Sequence, residues 1–264
     1  MESKSIERIV MIGSGNVATH LSIALSQNNK KIVQIISKTE QNAKILADKV
    51  GCAYTAKIED TVKDADIYIM AVSDNSIGII AESFPHKEAL IVHTAGSVSM
   101  DVLSPAGSNY GVFYPLQTFT KDLKLDYSSI PFCIEASKHD IKEKLKTLAS
   151  DISSSVYEIN LRERQILHIA AVFACNFTNH LYSIAADILQ SKELPFDILR
   201  PLIEETARKA VMMHPDKAQT GPAARNDSFT INKHLEELNQ FSDYQKIYTF
   251  ISQSILKNSQ KEKK

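Results

Sequence analysis

Ile9-Val10-Met11-Ile12-Gly13-Ser14-Gly15-Asn16-Val17-Ala18 is the stretch that decides the fold. Four successive apolar residues mark a strand buried on both faces. The next six match G-x-G-x-x-G/A, with alanine in the third place. The string closes a strand and opens a helix, which is the context that gives it meaning. Gly13 makes the tight turn, Gly15 lets backbone approach a pyrophosphate, and Ala18 keeps the helix close to the strand. Asn16 and Val17 start the helix, whose unpaired amides would meet the phosphates. A plain strand-to-helix turn is the alternative.

The pattern outward from this turn alternates strand and helix. Val17, Leu21, Ala24 and Leu25 form one helical stripe. Strands are expected at Ile32–Ile36, Asp66–Val72 and Ala89–His93, with a helix over Gln41–Val50. Another short strand precedes Gly111–Phe119, and Ile130–Ala136 and Ser155–Ile159 extend the sheet around a helix at His139–Ser150. Such alternation implies right-handed crossovers and a parallel, doubly wound, Rossmann-type sheet.

The second part of the chain reads differently. Seven of the eight glycines lie at or before Gly111, and the eighth is Gly221. Leu161–Gln190 has neither glycine nor proline and reads as one long helix, with Ile166–Ala174 buried on most sides. Helices follow near Phe196–Met213, with Pro201 in the first turn, and at Tyr244–Lys257. Asp227 is positioned to cap the helix after the Ala218–Asn226 loop. The tail Asn258–Lys264 reads as a frayed charge run. The expected division is an α/β dinucleotide-binding domain over 1–160 and a helical domain over 161–264.

Composition narrows the class. The 264 residues carry 30 Lys plus Arg and 31 Asp plus Glu, a formal charge of −1. Nothing there attracts a polyanion, so nucleic acid and anionic membrane are not expected partners. No run reaches the roughly 18 apolar residues of a membrane span. Met1–Arg8 is polar and lacks the apolar core of a signal peptide. Cys52, Cys133 and Cys175 have no paired spacing, which points to reduced thiols and a cytoplasmic location. The histidines show no metal-ligand spacing, so no metal is expected.

The second strand selects the cofactor. An NAD site places an acid about 20 residues beyond the fingerprint. Here the strand ends in Ser37-Lys38-Thr39, and the first acid is Glu40. Two hydroxyls and an ammonium suit a 2′-phosphate, so NADP is favoured. Val72 and Ser73, after the next strand, line the expected crevice, and Asp74 either joins them or caps a helix. His93-Thr94-Ala95-Gly96-Ser97 ends a further strand where a nicotinamide would lie. His93 is a candidate general acid or a loop-holding residue, and Thr94, Gly96 and Ser97 are candidate cofactor contacts. Gln117 orients substrate or serves a turn.

Polar residues interrupt the long apolar helix at His168, Asn176, Asn179 and His180. At 100° per residue His168 and Asn179 fall about 20° apart on one face. They either pair within the helical domain or face a cleft, His168, Asn176 and Asn179 as catalytic candidates and His180 as a substrate contact. Arg225, in Thr220–Asp227, either holds a substrate carboxylate or pairs with Asp227.

These stretches carry a resemblance. IGSGNVATHL, HTAGSVSMDVL, GVFYPLQTF, HIAAVFACNFTNHLY, PLIEETARKA and TGPAARND together resemble the NADP-oxidoreductase-like proteins that join a Rossmann domain to a C-terminal helical domain of uncharacterised function. That family is similar to pyrroline-5-carboxylate reductase, the deazaflavin-dependent NADP reductases and the 3-hydroxyisobutyrate dehydrogenases. The resemblance implies a dinucleotide site and a homodimer formed through the helical half. The hydroxyacid dehydrogenases carry a catalytic lysine shortly before an asparagine. If Asn176 matches that asparagine, Val172 or Phe173 stands in the lysine's place. The resulting expectation is an NADPH-dependent reductase of a small carbonyl or imine compound bound between the domains. A non-catalytic NADP(H) sensor and a Rossmann protein for another nucleotide are the rivals.

Overall fold

The computed structural model describes residues 5–261. Met1–Lys4 and the end of the tail, 262–264, lie outside it. The chain divides into two compact units, Met1–Asn176 and Phe177–Lys264. The first unit therefore includes most of the helical stretch after Leu161, which the sequence assigns to the helical domain.

In the first unit, strand β1 (Arg8–Ile12) leads through the glycine turn into helix α1 (Asn16–Gln27). Then come β2 (Lys31–Ile36), α2 (Glu40–Val50), β3 (Ala53–Thr55), β4 (Ile67–Met70) and α3 (Asp74–Ser83). Next are β5 (Ile91–His93), a 3-10 segment (Met100–Ala106), β6 (Tyr110–Pro115), β7 (Phe132–Ala136), α4 (His139–Ser150), β8 (Val156–Glu158) and α5 (Leu161–Ala171). The eight strands form one sheet in the order β3-β2-β1-β4-β5-β6-β7-β8.

β1 shows why the apolar run builds a central strand. Ile9 and Met11 pack into the core on one face, and Val10 and Ile12 into the core on the other. A strand covered on both sides needs apolar residues at every position. The chain winds from β1 outward to β3, then crosses back to β4 on the other side of β1. That reversal makes the carboxyl ends of β1 and β4 the topological switch point, where such sheets hold ligands.

The sheet is not wholly parallel as expected, because β6 and β7 pair antiparallel, Gly111 to Ala136 through Pro115 to Phe132. A parallel pair needs a long crossover, usually a helix. Residues 116–131 contain only loop and one 3-10 turn, Tyr127–Ser129, and return directly, with the Leu116 amide donating to the Pro131 carbonyl at 2.8 Å. β3 is an addition that the sequence does not announce.

The stretch after Leu161 is helical but not regular. Between α5 and α6 (Thr178–Gln190) lies a π-helical segment, Val172–Phe177. A π turn closes hydrogen bonds from i to i+5 and so advances less per residue. The face calculated at 100° per residue does not carry through it. Burial is also corrected: Ile166, Ile169, Phe173 and Phe177 are 50–65% exposed, and Asn176, Asn179 and His180 are exposed as well. The second unit continues with a 3-10 turn (Phe196–Leu199), α7 (Arg200–Met212), α8 (Pro215–Ala218), α9 (Ser228–Glu237) and α10 (Ser242–Lys261). Pro201 sits in the first turn of α7. The Asp227 side chain caps α9 by accepting from the Thr230 amide at 3.0 Å. Tyr244 of α10 donates to Asp187 of α6 at 2.5 Å. α10 runs through Lys261, so Asn258–Lys261 is helical, not frayed. Among the described residues no helix is long and apolar enough to cross a membrane.

Candidate functional site

A cavity of about 1090 Å³ opens at the carboxyl ends of β1, β2, β4, β5 and β6. Its floor is the glycine turn. Gly13 has φ +122°, and a Cβ there would lie 2.1 Å from the Ala71 carbonyl oxygen, so only glycine fits. The Gly13 amide donates to the Ile36 carbonyl at 2.7 Å and ties the turn to β2. At Gly15 a Cβ would meet nothing within 4 Å, because the position faces the cavity. Gly15 is also the N-cap of α1, with no side-chain capping bond and no acid in the first turn. That helix end keeps its amides and positive dipole end for an anion. Asn16 and Val17 line the cavity, while Ala18 is fully buried beneath it.

Ser37 and Lys38, at the end of β2, line one end of the cavity. The Ser14 and Ser37 hydroxyls hydrogen-bond at 2.6 Å. Thr39 does not line the cavity; it is the N-cap of α2 and its side chain makes no capping bond. Val72 and Ser73 line it from the end of β4. Asp74 opens α3 and accepts from the Ser97 hydroxyl at 2.8 Å. Ser97 is thus committed to holding its loop and does not line the cavity, whereas Thr94 and Gly96 do.

His93 does not reach the cavity. It is fully buried, its Nδ1 accepts from the Ala95 amide at 3.1 Å, and its Nε2 lies 3.3 Å from the Ser99 carbonyl. Those partners make it the neutral tautomer with the proton on Nε2. Burial first, and then the positive charge of Arg164, push its pKa down to about 4. His93 therefore holds the loop, and the general-acid role expected for it has no geometric basis.

The opposite end of the cavity carries a different pair. Tyr114 ends β6, His168 lies on α5, and the Tyr114 hydroxyl is 3.1 Å from His168 Nδ1. Both line the cavity with Gln117 and Gly96. Burial pushes the Tyr114 phenol up to about 12. Gly96 sits beneath the pair: a Cβ there would be 2.8 Å from His168 Nδ1 and 2.9 Å from the Tyr114 ring. Gln117 accepts from the Thr118 amide at 2.8 Å, so its turn role is filled while it also faces the cavity.

Arg164 lies one helical turn before His168 on α5. It is fully buried, ion-paired to Glu135 of β7, and donates to the Val98 carbonyl at 2.6 Å. Its Nε has no hydrogen-bond partner in the structure. Asn176 lies outside the cavity in the π-helical segment. Asn179, His180 and Arg225 belong to the second unit. Arg225 is exposed and stands 3.9 Å from Asp227, the pairing that was its alternative.

Tyr114, Arg164 and Lys57 are the functional candidates that sequence reasoning passes over. Tyr114 lies within GVFYPLQTF, near the carboxyl end of β6, which is a usable signal. Arg164 precedes His168 by four residues, also a usable signal. Lys57 follows β3, whose three residues are too few to show a period.

Comparison with known proteins agrees with the geometry. Residues 8–96 match the family described as NADP oxidoreductase, coenzyme F420-dependent. Residues 130–255 match a domain of unknown function (DUF2520). No curated protein matches the chain. A Bacteroides fragilis protein provisionally named an NADP oxidoreductase is 44% identical, with a TM-score of 0.89 over 96% of this chain and 98% of that one. A pyrroline-5-carboxylate reductase of Streptococcus pyogenes shares the fold at 13% identity and a TM-score of 0.63, over 96% and 97% of the two chains. So does an imine reductase of Myxococcus stipitatus solved with NADP+, at 14% identity and a TM-score of 0.64, over 96% and 93%.

Proposed function

The chain belongs to the family of NADP oxidoreductases that join a Rossmann unit to a C-terminal helical domain, and on that premise we propose that it is an NADPH-dependent reductase of a small carbonyl or imine compound. The cofactor of the family is NADP. The residues present fit it. The uncapped start of α1 and the open face of Gly15 suit a pyrophosphate, and Ser37 and Lys38 suit a 2′-phosphate. When bound, NADPH supplies a hydride.

The observation that carries the reading is the Tyr114–His168 pair on the wall of that same cavity. Reduction of a carbonyl or imine leaves a basic oxygen or nitrogen that must take a proton. The Tyr114 phenol, with its high pKa, keeps its proton at neutral pH and holds a donor toward the cavity. With its proton on Nδ1, His168 would donate to the phenol oxygen and leave the hydroxyl proton for the substrate, and the phenolate left behind would regain a proton from water. Gln117 offers an amide to orient the substrate. The volume, about 1090 Å³, exceeds that of an ordinary small-ligand site and leaves room for substrate beside cofactor.

The same reading keeps Asn176, Asn179, His180 and Arg225 as substrate-side candidates of the helical half. It also includes a homodimer. The exposed apolar residues Ile166, Ile169 and Phe173 of the first unit support a partner surface. Three unpaired cysteines support a reducing cytoplasm. A second reading, an NADP(H) sensor without turnover, is favoured if Asn176 matches the asparagine of the related dehydrogenases, because Val172 or Phe173 then stands in the place of their lysine.

The test is loss of NADPH absorbance against a panel of ketones, aldehydes and cyclic imines, with coenzyme F420 included. Stereospecific oxidation with any member supports the reductase. Tight NADPH binding with no turnover across the panel supports the sensor.

A further inference from the structure

The nucleotide end of the cavity holds a cation that the second strand does not supply. β3 pairs with β2 in parallel, Ile36 opposite Thr55, and the Ser37 amide donates to the Thr55 carbonyl at 3.2 Å. Lys38 stands two residues beyond Ile36, and Lys57 two residues beyond Thr55. Neighbouring strands run about 4.8 Å apart. The two adjacent chain ends therefore each carry a lysine, at equivalent positions beyond the last paired residues. Both line the cavity, as do Ser37 and Ala56.

Their place sets these two lysines apart: among the described residues Lys38 and Lys57 are the lysines that line the cavity. Among the described residues neither Lys38 nor Lys57 is in an ion pair. Glu59 lines the same end, so two positive charges face one negative. Two ammonium groups and the Ser37 hydroxyl on one cavity wall are a donor set suited to a phosphomonoester dianion.

We infer that Lys57 is a cofactor-specificity residue that shares the 2′-phosphate of NADP(H) with Lys38, as a two-lysine clamp built across β2 and β3. This rests on the NADP reading of the site and adds its second cation. One lysine is a point charge without the fork of an arginine. A second, on an adjacent strand, supplies both the missing charge and the geometry. Hydrogen bonds to a charged group are worth enough to change affinity roughly ten- to a hundredfold.

The experiment titrates NADPH and NADH into the full chain and follows nicotinamide fluorescence, with adenosine 2′,5′-bisphosphate and 5′-AMP as competitors. Lys57→Ala is expected to weaken NADPH and the bisphosphate at least tenfold and to leave NADH and 5′-AMP within twofold. Lys57→Arg retains NADPH. Glu59→Gln tightens NADPH, and added salt weakens it. Lys57 is exposed at a loop, and unchanged melting of the variants confirms that folding is intact. If the wild type binds NADPH tightly and Lys57→Ala binds it equally, the clamp is refuted and the reductase reading stands. If the wild type binds neither nucleotide, or prefers NADH, the NADP reading and the clamp fall together.

Discussion

Replacing each fingerprint glycine by alanine separates folding from cofactor binding. At Gly13 the new Cβ would lie 2.1 Å from the Ala71 oxygen and 2.8 Å from its carbon, at φ +122°. Both obstacles are backbone, so no side chain can yield. The dihedral alone costs about 1–3 kcal/mol and overpacking a comparable amount. A loss of at least about 3 kcal/mol lowers the melting temperature of a unit this size by roughly 6–12 °C. Gly15 is the opposite case. Its φ is −75° and its ψ −169°, which alanine accepts, and its Cβ would meet no protein atom within 4 Å. A weaker N-cap and a stiffer unfolded chain act in opposite directions, leaving stability within about 1 kcal/mol of wild type. The methyl group, however, enters the space beside the α1 amides. Losing one amide-to-phosphate bond costs about 1.5–3 kcal/mol, a ten- to hundredfold rise in Kd. Thermal melting monitored by circular dichroism and NADPH fluorescence titration read the two effects separately. A Gly15→Ala chain that melts normally and binds NADPH within twofold of wild type would show that no pyrophosphate lies on this turn.

With a substrate from the screen, Tyr114→Phe lowers kcat roughly hundredfold or more while the Kd of NADPH holds; a wild-type kcat removes Tyr114 as the proton donor. Because burial pushes that phenol up to about 12, its ionisation gives kcat no alkaline loss below pH 10, and an alkaline limb near pH 8 that Tyr114→Phe abolishes would contradict this. His93 makes stability depend on pH. Its folded pKa, about 4, is below the ordinary histidine value of 6.5, so the unfolded chain binds the extra proton between those values. Stability from this group is complete above pH 6.5 and falls by roughly 3 kcal/mol as pH drops toward 4. Urea titrations at pH 7 and 4.5 should show a smaller difference in His93→Gln than in wild type; equal differences would refute the assignment. Ile169→Glu with Phe173→Glu should convert a dimer to monomers in sedimentation velocity, and an unchanged coefficient would place the interface elsewhere.

Much of the first unit is legible because its signals are local. β1, α1, β2, α2 and α4 follow from apolar runs, helical stripes and the glycine turn, each readable within a dozen residues. Ser37-Lys38-Thr39 is legible as a chemical set because it directly follows a strand. Features set by partners distant in sequence are less readable. The antiparallel β7 depends on a loop that folds back without a helix, and β3 on an edge pairing only three residues long. Lys57 disappears with β3. The exposed side of the α5 region misleads for a different reason. Ile166, Ile169 and Phe173 read as core because apolar residues are most often buried, yet a surface for another chain has the same composition.

The two histidines show where residue type stops being informative. His93 and His168 are equally good proton donors on paper, and His93 has the better address, at the end of a strand beside the switch point. Burial reverses the order. His93 is enclosed, with both ring nitrogens engaged within six residues of chain, and Arg164 nearby disfavours its charge. His168 meets Tyr114 across 54 residues, a pairing that no local pattern encodes. The link between them is Gly96. Its loop starts at His93, and a side chain there would strike both His168 and Tyr114. On the proposed function His93 would therefore serve the reaction indirectly. It pins the loop whose glycine gives the Tyr114–His168 pair room to form, so of the two histidine candidates the sequence offers, His93 takes its loop-holding alternative and His168 is the one that lines the cavity.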